Sequence, residues 1–499
     1  MSEAPVYDLA IVGYGPAGAV AAALLGQAGH SVYVCDRLQD VYEIPRAIAL
    51  DHEVMRVFQQ LGVVDAVQRH CEPFTPSVYY GVDGQPIRRM TMVDPPYPQG
   101  YTPSIVFTQP PVERILRERV ARLPNVTVEL GVECTGLAQD ADGVTLTVAG
   151  RPVRARWALA ADGGSSGLRA QLGVALEDLG FDEPWLVVDV MVNERGLAKL
   201  PATSVQYCEP QRPCSLVIGP GNHRRWEISL QPGEDPKEAA TPEGTWQLLA
   251  RWLGPEDGTL WRQSSYRFHA LVAERWRVGR VFLAGDAAHM QPPFLGQGMC
   301  QGVRDVANLG WKLAAVLSGQ VQGEAAERLL DSYGTERKAH VRELTSRIKG
   351  VGAVICERDE TKARERDARL LAECGGVVRD TPRQDILPPL VGGLVTTTPG
   401  AGTLFPQPRM ATADGVGELM DERAGRGWRL VGDGTLPLDG VPGLTLVDLA
   451  RTPEAEGVVA AWMSRHGVHA AIVRPDHYTY GTAADAGSLS ALIAQWRAR

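Results

Sequence analysis

Apolar residues along the chain switch between two periods, and the switches mark its elements. Residues 7–12 make a short, mostly apolar run, residues 18–28 an Ala/Leu-rich helical stretch, and residues 31–35 a second apolar run ending on Asp36. This predicts strand, helix and strand with a glycine-rich first turn. Asp51 stands before the helical run 52–61, which Gly62 stops, so Asp51 reads as a helix N-cap. Residues 126–149 alternate, with 127–130 and 144–148 reading as hairpin strands around Asp142-Gly143. An apolar strand at 157–161 delivers Asp162, and short strands broken by Pro and Gly fill 180–275.

A further strand, 281–284, ends on Gly285-Asp286, and a helix over 300–317 sets Val306, Leu309, Leu313 and Val316 on one face. Charged helical sequence covers 324–375, and a Pro/Gly/Thr-rich linker covers 378–409. The tail reads as strands at 428–431 and 444–449, a helix at 454–466, a hairpin around Arg474-Pro475-Asp476, and a helix reaching Trp496. Such a mixed α/β tail could be thioredoxin-like. No cysteine follows Cys374, so thiol redox chemistry there is excluded.

Composition narrows the class. A chain of 499 residues suits two or three domains, and a net charge of −9 with no basic run gives no sign of a nucleic-acid partner. Eight cysteines without CxxC spacing read as reduced cytoplasmic thiols, with no metal site. The run 9–35 is uncharged apart from His30 and imitates a membrane span, but Gly13, Gly15, Pro16 and Gly18 break it, and acidic Glu3 and Asp8 precede it. The expectation is therefore no membrane partner.

The chemistry sits at the strand ends. In Gly13-Tyr14-Gly15-Pro16-Ala17-Gly18, the first glycine permits a tight turn, Gly15 lets the backbone approach a pyrophosphate, and Gly18 lets helix and strand pack closely. Asp36 stands at the distance expected of a ribose ligand, with Arg37 beside it. Arg46, in Pro45-Arg46-Ala47, is a candidate anion ligand. Asp162 and Asp286 end strands where open α/β sheets bind ligands, and Gly296-Gln297-Gly298 opens a helix whose positive end would stabilise an electron-rich acceptor. His289 is a candidate acid/base or a bridging histidine. Tyr207, Trp226, Tyr266 and Phe268 are wall candidates for a substrate cavity. No second GxGxxG follows a strand, which argues against a separate nicotinamide domain.

These segments, with Phe107-Thr108-Gln109-Pro110, Asp162-Gly163-Gly164-Ser165-Ser166-Gly167-Leu168-Arg169, the run 285–313 and Arg474-Pro475-Asp476, resemble the FAD-dependent aromatic hydroxylases. The 3-(3-hydroxyphenyl)propionate hydroxylase group is the nearest in pattern. The resemblance implies a Rossmann-type FAD-binding domain with an inserted β-sheet substrate domain and a C-terminal thioredoxin-like domain. It assigns FAD to Gly13, Gly15, Gly18, Asp36, Arg37, Arg46, Gln109, Asp162, Gly285, Asp286, Pro293, Gly296, Gly298 and Met299. Domain spans follow: 1–180 with 276–345 for FAD (73–100 joining the substrate domain), 181–275 for substrate, 346–390 as a helical connector and 391–499 as the tail.

The implied reaction consumes NADH or NADPH and O₂, and hydroxylates a phenol through a flavin C4a-hydroperoxide in a closed, apolar site. A base for the phenol would come from His289, Tyr207 or His269, and substrate contacts from Tyr207, Trp226 and Arg225. An arylpropionate would meet Arg89, Arg212 or Arg225. The alternatives are a hydroxylase tailoring a polycyclic polyketide and a non-hydroxylating flavin protein or NADH oxidase. A plain NAD dehydrogenase would leave Asp162 and Asp286 without roles, and the WxWxIP segment of halogenases is missing. The expected assembly is a monomer or homodimer.

Overall fold

A computed structural model describes residues 6–412 and 415–499. Three sheets organise what positions the site. In the first, Val6–Val12 lies between Val32–Asp36 and Arg151–Ala160, parallel to both, and Val281–Leu283 pairs in parallel beyond Arg151–Ala160. The helix Pro16–Gln27 makes the first crossover, buried along Gly18, Ala19, Val20, Ala22 and Ala23. Small side chains there let the helix lie close on the sheet.

Val126–Leu130 departs from the hairpin expectation. It extends the sheet in parallel beside Val32–Asp36, and Val144–Val148 instead forms hairpins with Cys134–Gln139 and with Arg151–Ala160. Alternation identified the strands but not their partners, because register and pairing depend on which face is buried.

The second sheet has nine strands, and its centre is the long antiparallel pair Leu176–Val192 and Gly258–Ala273. It continues through His223–Ser229, Cys214–Ile218 and Ser204–Tyr207, then recruits Ser77–Tyr80 and Pro86–Thr91 from the N-terminal third. Arg379–Pro382, inside the expected linker, closes its edge beside Pro86–Thr91. One face (Leu186, Val188, Val190, Leu216, Trp226, Ile228) packs beneath Trp246, Leu249 and Trp252; on the other, Val217 meets Ile48, Ala49 and Val106, and Trp185 meets Phe294. The boundary expected at 345/346 falls inside one continuous helix, Gly323–Ile355.

The tail carries Thr445–Asp448, Arg429–Gly432, Ala470–Val473 and Thr479–Ala483 in that spatial order, the first pair parallel and the rest antiparallel, with helices Val458–His466 and Ala486–Arg497. This is a thioredoxin-like arrangement. The first of these helices starts at Val458 rather than 454, because the Glu454 carboxylate accepts from the N–H groups of Val459 and Ala460 and Gly457 takes a left-handed φ of 70°.

Buried charges join the tail to the long helices. Glu336 accepts from Lys312 at 2.8 Å and from Arg474 at 2.7 Å, while Arg474 also grips Asp476 at 2.6 Å, all fully buried. Burial pulls Lys312 down to about 8 even with Glu336 beside it. Removing one member leaves the others uncompensated, so Arg474→Met is expected to weaken the tail's attachment by about 3–5 kcal/mol. The check is the midpoint of the first urea unfolding transition; a midpoint equal to wild type would show that this cluster does not hold the tail.

Candidate active site

Two helix starts converge on one crevice. At the first, Gly13 has φ +102°, and a Cβ there would stand 2.2 Å from the Ala161 carbonyl oxygen; a Cβ on Gly18 would stand 2.0 Å from that of Gly13. Both glycines are required by backbone packing. Gly15 differs: a Cβ there meets nothing within 4 Å. Pro16–Gln27 has no side-chain N-cap and no acid in its first turn, so its N–H groups stay open to an anion. The Asp36 carboxylate accepts from Tyr14 N–H at 2.5 Å and Leu38 N–H at 2.8 Å, which fixes the turn. Arg37 is exposed.

The second start is Gly298–Leu317, again with no side-chain cap and no first-turn acid. A Cβ on Gly298 would meet nothing within 4 Å, whereas one on Gly296 (φ +61°) would press on Ala49 at 2.7 Å. Met299 and Pro293 are half-buried beside it, and Asp286 is exposed at its strand end. The two helices meet where Gly285 and Gly302 face Ala17; a Cβ on Gly302 would lie 3.4 Å from that of Ala17.

His289 is not in the crevice. It is 1% exposed, its Nε2 lies 2.8 Å from Asp305, and its ring stacks on Trp276. Asp305 also accepts from Gly285 N–H and Arg337 Nε at 2.9 Å each. Burial would raise Asp305, but His289 and Arg337 hold it below the usual carboxylate range. His289 therefore braces the Gly285 turn against the second helix.

Further ligand candidates line the first helix start. The Gln109 oxygen accepts from the backbone N–H groups of Arg46 (2.7 Å) and Ala47 (2.5 Å), and its amide donates to Glu113 at 2.5 Å. Gln109 thus clamps the 45–47 segment, and the exposed Arg46 side chain has no carboxylate partner among the described residues. Arg117 is a residue the sequence reading missed. Its guanidinium lies 4.6 Å from the Tyr14 ring centre and donates to the Tyr14 carbonyl at 3.0 Å, while buried Nε and Nη1 have no partner. The signal was the i, i+4 series Gln109, Glu113, Arg117 on one helix face. Asp162 accepts from Leu168 N–H at 3.2 Å, and its other oxygen is buried without a partner.

The aromatic candidates separate by sheet face. Tyr207 and Trp226 both point to the far face, where Tyr207 accepts from Trp252 Nε1 at 3.1 Å and Trp226 packs among apolar residues. Neither is presented to the crevice, because side chains alternate along a strand and their neighbours Gln206, Arg225 and Glu227 take the inner face. His269 is at the surface, 3.5 Å from Asp182. Tyr266 stacks on Phe268 and lines an open groove of about 460 Å³ with Pro184, Lys237 and Arg267, away from the glycine turn.

On the inner face Arg225 reaches back across the gap. It binds Asp189 at 2.7 Å and donates to the carbonyls of Arg46 (2.9 Å) and Pro45 (3.2 Å), and Arg262 joins at Pro45 (2.5 Å). Burial would raise Asp189, but Arg225 and His223 bring it to about 2. Arg89 and Arg212 are paired with Asp380 and Glu234. Among the described residues no cluster of His, Cys, Asp or Glu suits a metal ion, and no helix is long and apolar enough to cross a membrane.

The two open helix starts and the orphaned atoms of Arg117 and Asp162 fit a dinucleotide whose pyrophosphate is anionic. Comparison with known proteins agrees. The profile described as "FAD binding domain" matches residues 6–348. A probable NADH-specific resorcinol 4-hydroxylase of Rhodococcus jostii is 38% identical over 97% of this chain and 93% of its own length. A 3-(3-hydroxy-phenyl)propionate/3-hydroxycinnamic acid hydroxylase of Burkholderia cenocepacia is 32% identical, with 98% and 96% covered. The crystal structure of aklavinone-11 hydroxylase with FAD and aklavinone superposes with a TM-score of 0.79 over all of both chains, at 23% identity.

The open space at Gly15 sets up a contrast. Gly15→Val is expected to fold normally and lose FAD affinity by about tenfold or more, about 1.4 kcal/mol, whereas Gly18→Ala is expected to lose the fold. Flavin absorbance per protein and the melting temperature check both. A yellow Gly15→Val protein with wild-type flavin content would remove the pyrophosphate from this turn.

Proposed function

Starting from its membership of the FAD-dependent aromatic hydroxylases, we propose that this chain hydroxylates a small, uncharged phenol of the resorcinol type, using NADH and O₂. The observation that carries the substrate choice is the inner face of the nine-stranded sheet. Its buried arginines already face an anion: Arg225 is hydrogen-bonded to Asp189 and to backbone carbonyls, and Arg262 stands 3.6 Å from Asp189 and donates to the Pro45 carbonyl, so their charge is largely answered before a substrate carboxylate arrives. Around them Ile48, Phe74, Val106 and Val217 supply an apolar wall suited to a phenyl ring.

When bound, FAD supplies the reducing equivalents from NADH and the activated oxygen. The protein's part is to bind, orient and exclude water. Gly15 and the start of Pro16–Gln27 would take the pyrophosphate, with Arg46 and Arg117 as its cations. Asp162 and Asp286 would meet the ribityl side, and Pro293, Gly296, Gly298 and Met299 the ring. The partial positive charge at Gly298–Leu317 would favour electron density on the ring. Arg225 and Arg262 tie the sheet to the 45–47 segment and so keep that side of the space closed to water, which limits wasteful loss of oxygen as peroxide.

A second reading follows from Arg383. Among the described residues it has no carboxylate partner, and it lies 4.2 Å from the Phe74 ring centre, donating to the Leu295 carbonyl at 2.6 Å. Such a cation could take the carboxylate of a 3-hydroxyarylpropionate. We place the enzyme in the cytoplasm, where its eight unpaired cysteines stay reduced and nicotinamide donors are made. Its assembly is proposed to be a monomer or homodimer.

The purified, FAD-loaded chain is expected to oxidise NADH much faster with resorcinol than without, and to return the consumed O₂ as hydroxylated product rather than H₂O₂. Oxygen uptake with product chromatography over a phenol series decides. Preference for 3-(3-hydroxyphenyl)propionate would favour the Arg383 reading, and full return of O₂ as H₂O₂ with every phenol would end the hydroxylase assignment.

A further inference from the structure

One carboxyl on the inner face of the nine-stranded sheet has no partner. Glu227 is 7% exposed, and among the described residues its oxygens accept no hydrogen bond and meet no cation within salt-bridge distance. Its neighbours along the strand differ: Arg225 is bound to Asp189, and the Ser229 hydroxyl accepts from Arg358. Burying a carboxylate without a hydrogen-bond donor costs several kcal/mol, by order of magnitude, and Arg225 and Arg262 offset only part of it from a distance. A donating ligand would offset the rest.

The register shows what Glu227 faces. Across the sheet its row reads Val187, Glu227, Ser215, Gln206 and Tyr79. The row on one side holds Asp189, Arg225 and Val217, which meet the 45–49 segment through the Arg225 hydrogen bonds and the packing of Val217 with Ile48 and Ala49. The row on the other side holds Trp185, edge-on to Phe294 at 5.6 Å in the glycine turn. Glu227 therefore lies between the two segments that would flank the flavin ring. Ser215 donates to the Gln206 oxygen, which leaves the Gln206 amide N–H groups for a ligand.

We infer that Glu227 accepts the hydrogen bond of the substrate's phenolic hydroxyl and takes its proton as the ring is hydroxylated, while Gln206 donates to a second oxygen on the ring. The inference rests on the hydroxylase reading above and makes Glu227 its catalytic acceptor. The O–H bond breaks, its electron pair stays on the phenolic oxygen and enriches the ring, and the proton rests on a Glu227 oxygen until it returns to the departing product. A carboxylate here also repels an anionic substrate group brought to the same spot. The charged groups acting on Glu227 are Arg225 and Arg262, which lower it, and Asp189, which raises it; burial outweighs them and sets it above the ordinary range. An acceptor must be ionised, so kcat/KM falls as the pH drops through that raised value.

The test uses the FAD-loaded full chain and resorcinol, with kcat/KM for hydroxylated product measured from acid to alkaline pH. Wild type is expected to show an acid limb, and Glu227→Gln to lose that limb and about 100-fold or more in kcat/KM, with flavin content unchanged. Glu227→Gln within about threefold of wild type, on the same pH profile, would overturn the inference. If Glu227→Gln does not hold FAD, Glu227→Asp and the wild-type profile decide: a wild type without an acid limb overturns it. A wild type that hydroxylates no phenol fails on the function itself, which separates the two ideas.

Discussion

The close approach of two helix starts is the constraint on which the rest depends. Ala17, Gly285 and Gly302 are small enough for Pro16–Gln27 and Gly298–Leu317 to meet near their N-terminal ends. Each end carries about half a positive charge, and neither is capped by its own side chains. Placed side by side without an anion, the two would repel. A dinucleotide with a charged pyrophosphate at one and an electron-rich ring at the other would relieve this. The Asp305 network acts on the same geometry, because it holds the Gly285 turn, His289 and Arg337 in one buried cluster.

The tail shows what becomes of a thioredoxin-like arrangement once its thiols are gone. Its sheet keeps the order of strands, but its charged groups turn inward to the neighbouring elements. Asp421 accepts from Arg56 (2.5 Å) on the helix His52–Gln60, and also from Arg429, while Arg474 reaches Glu336 on Gly323–Ile355. Arg304, on the second site helix, holds Asp51 and Glu53 at the start of His52–Gln60. Buried ion pairs add little net stability, yet they tolerate few alternative arrangements. Here they form a chain of contacts from the tail to the second of the two site helices, Gly298–Leu317, which suits a brace whose value is geometric.

How much of this was legible in the sequence varied with the kind of signal. Glycine turns at strand ends were readable because backbone contact at 2.0–2.2 Å from a hypothetical Cβ admits no other residue at Gly13 or Gly18. Asp51 as N-cap was readable for the same local reason; its side chain accepts from Val54 N–H. The partner of Val126–Leu130, the sheet strand hidden in the 378–409 linker and the inner face of the central sheet were not. Each depends on pairing between residues far apart in the chain. Tyr207 and Trp226 were attractive as aromatics, but one step of strand register separates the inner row from the far one. Arg117 was missed because its only mark, the i, i+4 spacing from Gln109 and Glu113, gains meaning once its helix meets Tyr14.

The same reasoning explains why relatives in this family can share a cofactor site and differ in substrate. At the helix starts, Gly13 and Gly18 are fixed by backbone contact, so the fold itself restricts what can stand there. The inner sheet face is built from side chains alone, on a sheet whose strands come from four stretches of the chain, 77–91, 176–273, 289–290 and 379–382. Any one of them can change its side chain without disturbing a hydrogen bond of the ladder, provided the new group finds a partner or faces a ligand that supplies one. Arg225, fastened to Asp189 and two carbonyls, is held by that rule. Glu227, two residues on and unfastened, is held by it only if a substrate hydroxyl occupies the space.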